Sequence, residues 1–433
     1  MEPTPLENWI IRKSGIGEGS RKLLEEYQIN LIKKTIEYSK SRSRFYGEMF
    51  RNISPNEINC LSDMQKIPFT FPQDIQKDPF RFSCVPQSDI KRVVTLNTTG
   101  TSGEEKRILF SEEDLEQTVE FFVYGMSCLA DETDRVMVLL PGPGYGSIGD
   151  LLKKALEKFN IECFVNGVII DYEETANEII SKKISCLVGI PSQVMKLSRL
   201  RSDIFISGIK SVLLSTDYVP ETLIHELTDR YGCRVFTHYG MTEMGYGGGV
   251  ECEARNGYHM REAELLFEIV NPVTGEPVPD GQWGEVVFTT LSRIAMPLIR
   301  YRTGDIAAFS EELCPCGTFL KTMARVSGRL NNRVKLFEKE FLYQSELDEI
   351  IFSFREFVDY KACLTKGNNL LIDIETGSAA FERLKDRVTL GVKRYIDERF
   401  RGAADIKITV SRKNEADSIK NSMVKRMIRD LRE

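Results

Sequence analysis

Residues 98–106 combine two glycines, four hydroxyl side chains and a lysine directly after a short apolar stretch. They read Thr98-Thr99-Gly100-Thr101-Ser102-Gly103-Glu104-Glu105-Lys106. Glycines let successive backbone N–H groups turn toward one anion, and hydroxyls with a lysine can complete such a cradle. The spacing differs from the Walker pattern, in which Lys and Ser/Thr follow the second glycine at once. The segment is therefore a candidate phosphate-binding loop, and a solvated turn between strands is the alternative.

A second group of chemically capable residues follows the strand candidate Arg234–Thr237. Tyr239 can stack on a planar base, Thr242 can bond a phosphate oxygen, and Glu243 can hold Mg²⁺ near it. Further along the chain, Asp305 follows a glycine turn, where its carboxylate could accept bonds from two ribose hydroxyls. These residue types predict a magnesium–nucleotide site. An ordinary strand-to-loop exit remains the alternative for Tyr239–Glu243.

The elements that must position these residues follow from the hydrophobic pattern. Between Val136 and Thr237, short apolar strands alternate with helices, which predicts a parallel sheet with helices on both faces. Ligands bind at the carboxyl ends of such strands. From Ala263 the chain changes to antiparallel β structure, and a boundary near Gly328–Lys335 precedes a smaller α/β mixture.

Composition restricts the classes of function. At 433 residues the chain should form more than one domain. A net charge of −6 gives no general attraction to nucleic acid or to an anionic membrane. No apolar run is long enough for a membrane helix, and the first residues lack a signal-peptide pattern, so we expect a cytoplasmic protein with neither nucleic acid nor membrane as partner.

The motifs, in this order, resemble those of the adenylate-forming enzyme superfamily, and more closely its phenylacetate–CoA ligase branch. Residues 98–106 resemble the family's phosphate loop, Tyr239–Glu243 its Tyr-Gly-x-Thr-Glu, Arg302–Asp305 its Arg-Thr-Gly-Asp, and Gly328–Lys335 its hinge. The resemblance implies an α/β fold with a large N-terminal domain, residues 1–329, which contains mixed and parallel sheets flanked by helices plus a β subdomain. Residues 330–433 would form a small, mobile α+β lid domain.

The resemblance also implies a two-step reaction in which a carboxylate attacks ATP to give acyl-AMP, and coenzyme A then displaces AMP. Thr242 would contact the α-phosphate, Glu243 would ligate Mg²⁺, and a C-terminal lysine, Lys425 or the competing Lys420, would assist adenylation. The implied nucleotide-binding residues are Thr98, Thr99, Gly100, Thr101, Ser102, Gly103, Lys106, Ser215, Thr216, Asp217, Tyr239, Gly240, Asp305 and Arg329.

Cys252, His259, Cys314 and Cys316 are a candidate zinc-binding set. Three thiolates and one imidazole are typical of closed tetrahedral sites, in which zinc is structural and does not attack substrate. Some members of the branch that the chain resembles carry zinc at matching positions. Two surface turns with idle cysteines are the alternative.

Several features depart from the family pattern. Asn331 and Asn332 stand where the hinge usually has aspartate, and Glu104-Glu105 are unusual beside phosphate. Two other functions therefore stay open: adenylation with transfer to another acceptor, such as a protein thiol like Cys363 or a cofactor, and nucleotide binding without catalysis. The acid is an unspecified aryl or acyl carboxylate, and relatives suggest a possible homodimer. Gly245-Tyr246-Gly247-Gly248-Gly249 could leave space for a flat ring in an acyl pocket walled by Tyr145, Phe121 and Phe122, and packing of these aromatic residues in the core is the alternative.

Overall fold

The computed structural model describes residues 2–97, 105–142, 144–330, 332–336, 340–377, 381–400, 406–412 and 426–432. It divides into two compact units. The first contains Met1–Asp134, Pro141–Val165 and Phe236–Val326, and the second contains Arg135–Leu140, Asn166–Val235 and Ser327–Glu433. The chain passes from one unit to the other beside the predicted domain boundary after residue 329. The second unit also takes in earlier segments, so the units and the predicted domains do not coincide.

The first unit begins with helices whose apolar side chains are buried, and it continues into antiparallel sheets. Its α-helices are Pro5–Ser14, Arg21–Arg42, Arg44–Met49, Pro72–Lys77, Glu112–Met126 and Ile148–Glu157. Its strands are Arg92–Asn97, Glu105–Phe110, Glu162–Val165, Gly249–Glu251, Tyr258–Met260, Leu265–Val270, Gly284–Thr290, Tyr301–Ala307 and Thr322–Met323.

The helices Arg21–Arg42 and Arg44–Met49 are separated at Ser43. This residue has extended backbone angles, and its hydroxyl accepts the amide of Tyr46 at 3.2 Å, so it caps a second helix. Leu24, Ile32 and Ile36 of the first helix are fully buried, as their helical spacing requires.

The antiparallel strands of the first unit position most of the predicted site residues that the structure describes. Arg92–Asn97 pairs with Glu105–Phe110, so these two strands flank residues 98–104. Gly284–Thr290 pairs with Leu265–Val270 on one side and with Tyr301–Ala307 on the other, which confirms the predicted antiparallel β region. The end of strand Arg234–Tyr239 pairs with Gly249–Glu251, placing His238 opposite Val250.

The second unit contains the predicted parallel strands. Arg135–Leu139 pairs with Cys186–Gly189, which pairs in turn with Ser211–Leu214, all in parallel. All residues of the last two strands are buried, as expected for strands that helices cover. The helices of this unit are Tyr172–Ser181, Pro191–Leu200, Ser202–Ser207, Glu221–His225 with a π-helical turn Glu226–Arg230, Gln344–Phe352 and Phe381–Arg399.

The C-terminal part of the second unit forms a mixed four-stranded sheet. Its strand order is Lys407–Arg412, Asn369–Glu375, Asp359–Thr365, Arg429–Leu431. The central pair is antiparallel and both outer strands are parallel to their neighbours. Short strands Gly328–Arg329, Arg333–Lys335 and Phe341–Tyr343 precede it. Within the described part of the chain, no helix combines the length and apolarity that crossing a membrane requires.

Candidate active site and metal centre

Glu243 is a buried carboxylate in the first unit, where it contacts Lys106 and Tyr301. It lies in the one-turn helix Thr242–Met244. Lys106 Nζ forms an ion pair with it, and Tyr301 donates its hydroxyl to Glu243 Oε1 at 3.1 Å. Lys106 Nζ also donates to the Tyr301 hydroxyl at 3.1 Å. The structure thus brings Lys106, the last residue of the candidate phosphate-binding loop 98–106, into contact with Glu243, which lies 137 positions away.

Tyr239 and Asp305 form a second polar pair in the same unit. The Tyr239 hydroxyl donates to Asp305 Oδ2 at 3.0 Å, and both residues are buried. The ring of Tyr239 lies 5.9 Å from that of Tyr258, measured between centroids. Asp305 follows Gly304, whose φ of +76° lies in the left-handed region that favours glycine. Gly240 is also required, because a Cβ there would lie 2.0 Å from the carbonyl oxygen of Tyr246.

The other described residues that are predicted to bind the nucleotide lie in the second unit. Ser215, Thr216 and Asp217 follow the parallel strand Ser211–Leu214 in the second unit, where Thr216 has a φ of +79°. Arg329 lies in the short strand Gly328–Arg329 of that unit. Asn332, within the predicted hinge Gly328–Lys335, donates to the Arg426 carbonyl at 3.4 Å. The predicted residues outside the described part of the chain are Thr98, Thr99, Gly100, Thr101, Ser102, Gly103, Glu104, Asn331, Lys420 and Lys425.

The candidate metal ligands Cys252, His259, Cys314 and Cys316 converge in the first unit. All four are buried, and their ligand atoms lie within 4.8 Å of one another. Cys252 Sγ is 3.7 Å from Cys314 Sγ, and Cys316 Sγ is 3.5 Å from His259 Nε2. A tetrahedral zinc ion with Zn–S bonds of about 2.3 Å separates its sulfur ligands by roughly 3.8 Å. The donor types and spacings therefore fit zinc.

Local structure explains how these four residues meet. Strand Gly249–Glu251, which precedes Cys252, pairs with Tyr258–Met260, which carries His259. Thr322–Met323 pairs with the other edge of that strand and brings back the chain that contains Cys314 and Cys316. A turn at Gly317, with a φ of +81°, lets its amide bond the Cys314 carbonyl at 2.9 Å.

Burial sets the protonation of these ligands when no metal is bound. It lowers the pKa of His259 to about 4, so the imidazole is neutral at physiological pH. It raises the pKa of the Cys252 and Cys314 thiols above their ordinary value, partly because the neighbouring sulfurs disfavour a second negative charge. A bound cation would reverse this preference, since metal binding deprotonates thiols.

Sequence reasoning missed two residues that organise the site. Tyr301 contacts both Lys106 and Glu243, and it directly precedes the predicted motif Arg302–Asp305. Glu285 accepts the Gly304 amide at 3.0 Å and pairs with Arg302, so it holds the turn that presents Asp305. The only sequence signal for Glu285 was a charged residue in an otherwise apolar strand.

Two of the glycines after Met244 lie directly against neighbouring side chains. A Cβ at Gly247 would lie 2.3 Å from the Phe121 ring, and one at Gly248 would lie 2.4 Å from Met244 Sδ. Glycine at these positions allows Phe121 and Met244 to pack against the backbone. The predicted role of this run in the acyl pocket stays a prediction.

Residues 93–292 match the AMP-binding enzyme family. The phenylacetate-coenzyme A ligase of Thermus thermophilus is 28% identical over 371 residues, covering 82% of this chain and 81% of the relative. The phenylacetate-coenzyme A ligase of Escherichia coli is 25% identical over 343 residues, covering 76% of each chain.

Solved structures show the same fold. A 2-hydroxyisobutyryl-CoA ligase in the postadenylation state, in complex with R3-HIB-AMP, has a TM-score of 0.80 and 19% identity, and the match covers 94% of this chain and 89% of the other. The same ligase with 2-HIB-AMP and CoA in the thioesterification state has a TM-score of 0.68 and 20% identity, with 96% and 91% covered. The predicted fold class is confirmed.

Proposed function

The resemblance to adenylate-forming enzymes, and to their phenylacetate–CoA ligase branch, is confirmed by these comparisons, and on that premise we propose that this chain is an AMP-forming acid–thiol ligase. An oxygen of a carboxylate substrate attacks the α-phosphorus of ATP, and the bond to the β-phosphate oxygen breaks to release pyrophosphate. The sulfur of coenzyme A then attacks the acyl carbon, its thiol proton is lost, and AMP leaves. No residue of the chain becomes covalently modified in this sequence.

The buried cluster of Lys106, Glu243 and Tyr301 is the observation that best supports the proposal. The buried Glu243 carboxylate suits Mg²⁺, which is usually bound by one or two carboxylates together with substrate phosphates. Magnesium would neutralise charge on those phosphates. Lys106 holds the Glu243 charge in place without nucleotide, and it can donate to a phosphate oxygen once the metal shares that carboxylate.

The other residues of the first unit position the nucleotide. Thr242, half-buried at the start of its one-turn helix, donates to the α-phosphate. Tyr239 stacks on adenine, and Asp305 accepts the ribose hydroxyls while its turn is held by Glu285. Positioning of this kind accounts for most of the catalysis expected when the attacking and leaving groups belong to the substrates.

We further propose that residues 98–103 bind the β- and γ-phosphates, that Ser215–Asp217 line the adenine pocket, and that Arg329 contacts the nucleotide. Lys425, or Lys420 in its place, binds the carboxylate and α-phosphate during adenylation. Residues 330–433 act as a lid that changes orientation between the two half-reactions. These roles rest on the motif resemblance.

The Cys252, His259, Cys314, Cys316 set binds zinc in this proposal. Its ligand spacing and burial support a closed tetrahedral site with no position for substrate. The metal would cross-link the loop after the nucleotide motif to the segment that follows strand Tyr301–Ala307, and its role would be structural.

Coenzyme A is favoured over Cys363 as the acyl acceptor. Burial and the neighbouring Asp373 raise the pKa of the Cys363 thiol, which reduces its reactive thiolate fraction at neutral pH. The relatives named as coenzyme A ligases point the same way. A cytoplasmic location and a homodimer complete the proposal.

The proposal is tested by supplying ATP, Mg²⁺ and a panel of aryl and alkyl carboxylates, with and without coenzyme A. We expect pyrophosphate release that depends on the acid, and AMP with acyl-CoA only when coenzyme A is present. Acylation of Cys363 detected by mass spectrometry would contradict the proposal. Repeated turnover at the same rate with and without coenzyme A would contradict it as well.

A further inference from the structure

Arg293 carries a buried guanidinium group whose Nη1 has no hydrogen-bond acceptor among the described residues. Its side chain is 5% exposed. Buried charges are ordinarily paired, because an unpaired one loses its hydration without compensation. Arg261, an equally buried arginine of the same unit, follows this rule by pairing with Glu264. Arg293 is therefore an exception that needs an explanation.

Asp114, the nearest carboxylate, does not satisfy Arg293. Asp114 Oδ1 lies 4.0 Å from Arg293 Nε, which is too far for a hydrogen bond. The Asp114 oxygens instead accept three backbone amides: Ser111 at 2.9 Å, Ile294 at 2.8 Å and Ala295 at 3.0 Å. Asp114 thus caps its own helix and fixes the loop that carries Arg293, while Arg293 Nη1 has no acceptor among the described residues.

Aromatic rings hold the guanidinium in a defined place. The Arg293 guanidinium lies 4.8 Å from the centroid of the Phe110 ring. Phe110 in turn stacks on Tyr246, with centroids 5.5 Å apart and planes within 7°. A planar, aromatic-backed guanidinium is preorganised for a bidentate contact with a carboxylate.

This guanidinium adjoins the motif that holds the reacting groups. A Cβ at Gly245 would lie 2.7 Å from Arg293 Nη2, so the guanidinium group lies directly against this glycine. Gly245 closes the one-turn helix Thr242–Met244. If an acid substrate reacts beside Thr242, as proposed above, the far end of a small acid reaches the neighbourhood of Arg293.

We propose that Arg293 binds a second carboxylate of the acid substrate, so that the enzyme acts on small dicarboxylates at one end only. The inference rests on the proposed function and names its substrate class. The aromatic pair Phe110–Tyr246 contacts the carbon skeleton, and Arg293 pairs with the carboxylate that does not react. Simple aryl and alkyl acids leave Arg293 unpaired and are poor substrates.

The test compares dicarboxylates with monocarboxylates of the same chain length, such as glutarate with valerate and terephthalate with benzoate. For the wild-type chain we expect kcat/KM for pyrophosphate release to be at least tenfold higher with the preferred diacid than with its monoacid. In Arg293→Met we expect a loss of about a hundredfold with the diacid and less than threefold with the monoacid, while Arg293→Lys retains part of the preference.

Arg21→Met is the matched control, because Arg21 is already paired with Glu25 and Glu262 and should not affect the preference. Calorimetric titration of glutarate into each folded variant reports binding separately from turnover. Equal loss with both acids in Arg293→Met, no loss with either, or a wild-type preference for monoacids would overturn the inference. In each of these cases acyl-CoA formation would still support the proposed function, whereas no turnover with any acid would count against both.

Discussion

Lys106 and Glu243 are interdependent because each neutralises the other away from water. In Lys106→Met, Glu243 would keep a buried charge without its cation, which costs about 3–5 kcal/mol for a pair of this kind. We expect a lower free energy of unfolding in urea and at least a hundredfold slower pyrophosphate release.

A double variant separates the two roles of this pair. Lys106→Met with Glu243→Gln removes both charges, so we expect most of the stability to return while pyrophosphate release stays low. If the double variant regained activity as well, the ion pair would have a structural role only. If Lys106→Met alone were as stable as the wild type, the burial of Glu243 would not matter in the way described.

His259 makes stability depend on pH. Burial holds its pKa near 4, below the ordinary value of about 6.5, so the unfolded chain binds more protons between these values. The imidazole's contribution is therefore complete above pH 6.5 and is lost as the pH falls toward 4, by up to roughly 3 kcal/mol. Proton competition for a bound metal acts in the same direction.

Urea unfolding at pH 7 and pH 4.5 checks this dependence. His259→Gln should lower stability at pH 7 and show a smaller loss between the two pH values than the wild type. His225→Gln is the control, because His225 is exposed and paired with Asp229 at the surface. If His259→Gln loses as much stability between pH 7 and pH 4.5 as the wild type does, other groups cause the acid sensitivity.

At the scale of elements, the candidate metal ligands connect strand Tyr258–Met260 with the loop before strand Thr322–Met323. These two strands have only three and two residues, and strands this short have little stability of their own. We therefore expect Cys316→Ser to lose one equivalent of zinc per chain, measured by plasma mass spectrometry, and to lower the melting temperature by several degrees.

Cys84→Ser serves as the control for that substitution, since Cys84 is buried in the same unit outside the metal centre. It should keep the zinc content of the wild type. A chelator should reproduce the effect of Cys316→Ser on hydrogen exchange in residues 249–260 and 308–324. A wild-type chain that contains no zinc, or a Cys316→Ser variant that retains it, would remove the metal from the account.

At the scale of the whole molecule, polar contacts join the C-terminal part of the second unit to its parallel-sheet part. Arg199 donates to the Phe352 carbonyl at 2.8 Å and to Glu226 at 3.1 Å, and its side chain is 2% exposed. Lys196 pairs with Glu375, and Tyr218 donates to Glu349 at 2.7 Å. Contacts of this kind can exchange with water, so they can also separate if the lid changes orientation.

Arg199→Met should weaken this association, because it leaves the Phe352 carbonyl unpaired and removes one of the two cations of Glu226. Arg355 remains as the other cation, at 3.0 Å. We expect faster hydrogen exchange in helix Gln344–Phe352 and a changed ratio between pyrophosphate release and acyl-CoA formation. Arg394→Met should change neither the exchange rate nor the ratio, because Arg394 is exposed and pairs with Glu398 on the surface. An unchanged exchange rate in Arg199→Met would show that this contact does not hold the two parts together.

Much of the fold and part of the site could be predicted from local patterns. Helix and strand periodicity identified the parallel strands and the antiparallel region because burial imposes a regular spacing on apolar residues. Residue type and order singled out Glu243, Asp305 and the Cys/His set, because magnesium, ribose and zinc each need particular donor atoms. The structure pairs Glu243 with Lys106, pairs Asp305 with Tyr239, and brings the Cys/His set together. The roles of these residues toward magnesium, ribose and zinc stay predictions, as do those of residues 98–103 and of Lys425.

Other features depended on contacts between residues far apart in the chain, which no local period records. The sequence alone determined which donor types are present, since side-chain chemistry does not depend on the fold. Only the tertiary structure decided that Lys106 and Tyr301 converge on Glu243, and that Phe121 fills the space beside Gly247. Only the structure also showed that Asp114 accepts backbone amides and that Arg293 Nη1 has no acceptor among the described residues, because hydrogen bonding depends on distance and geometry.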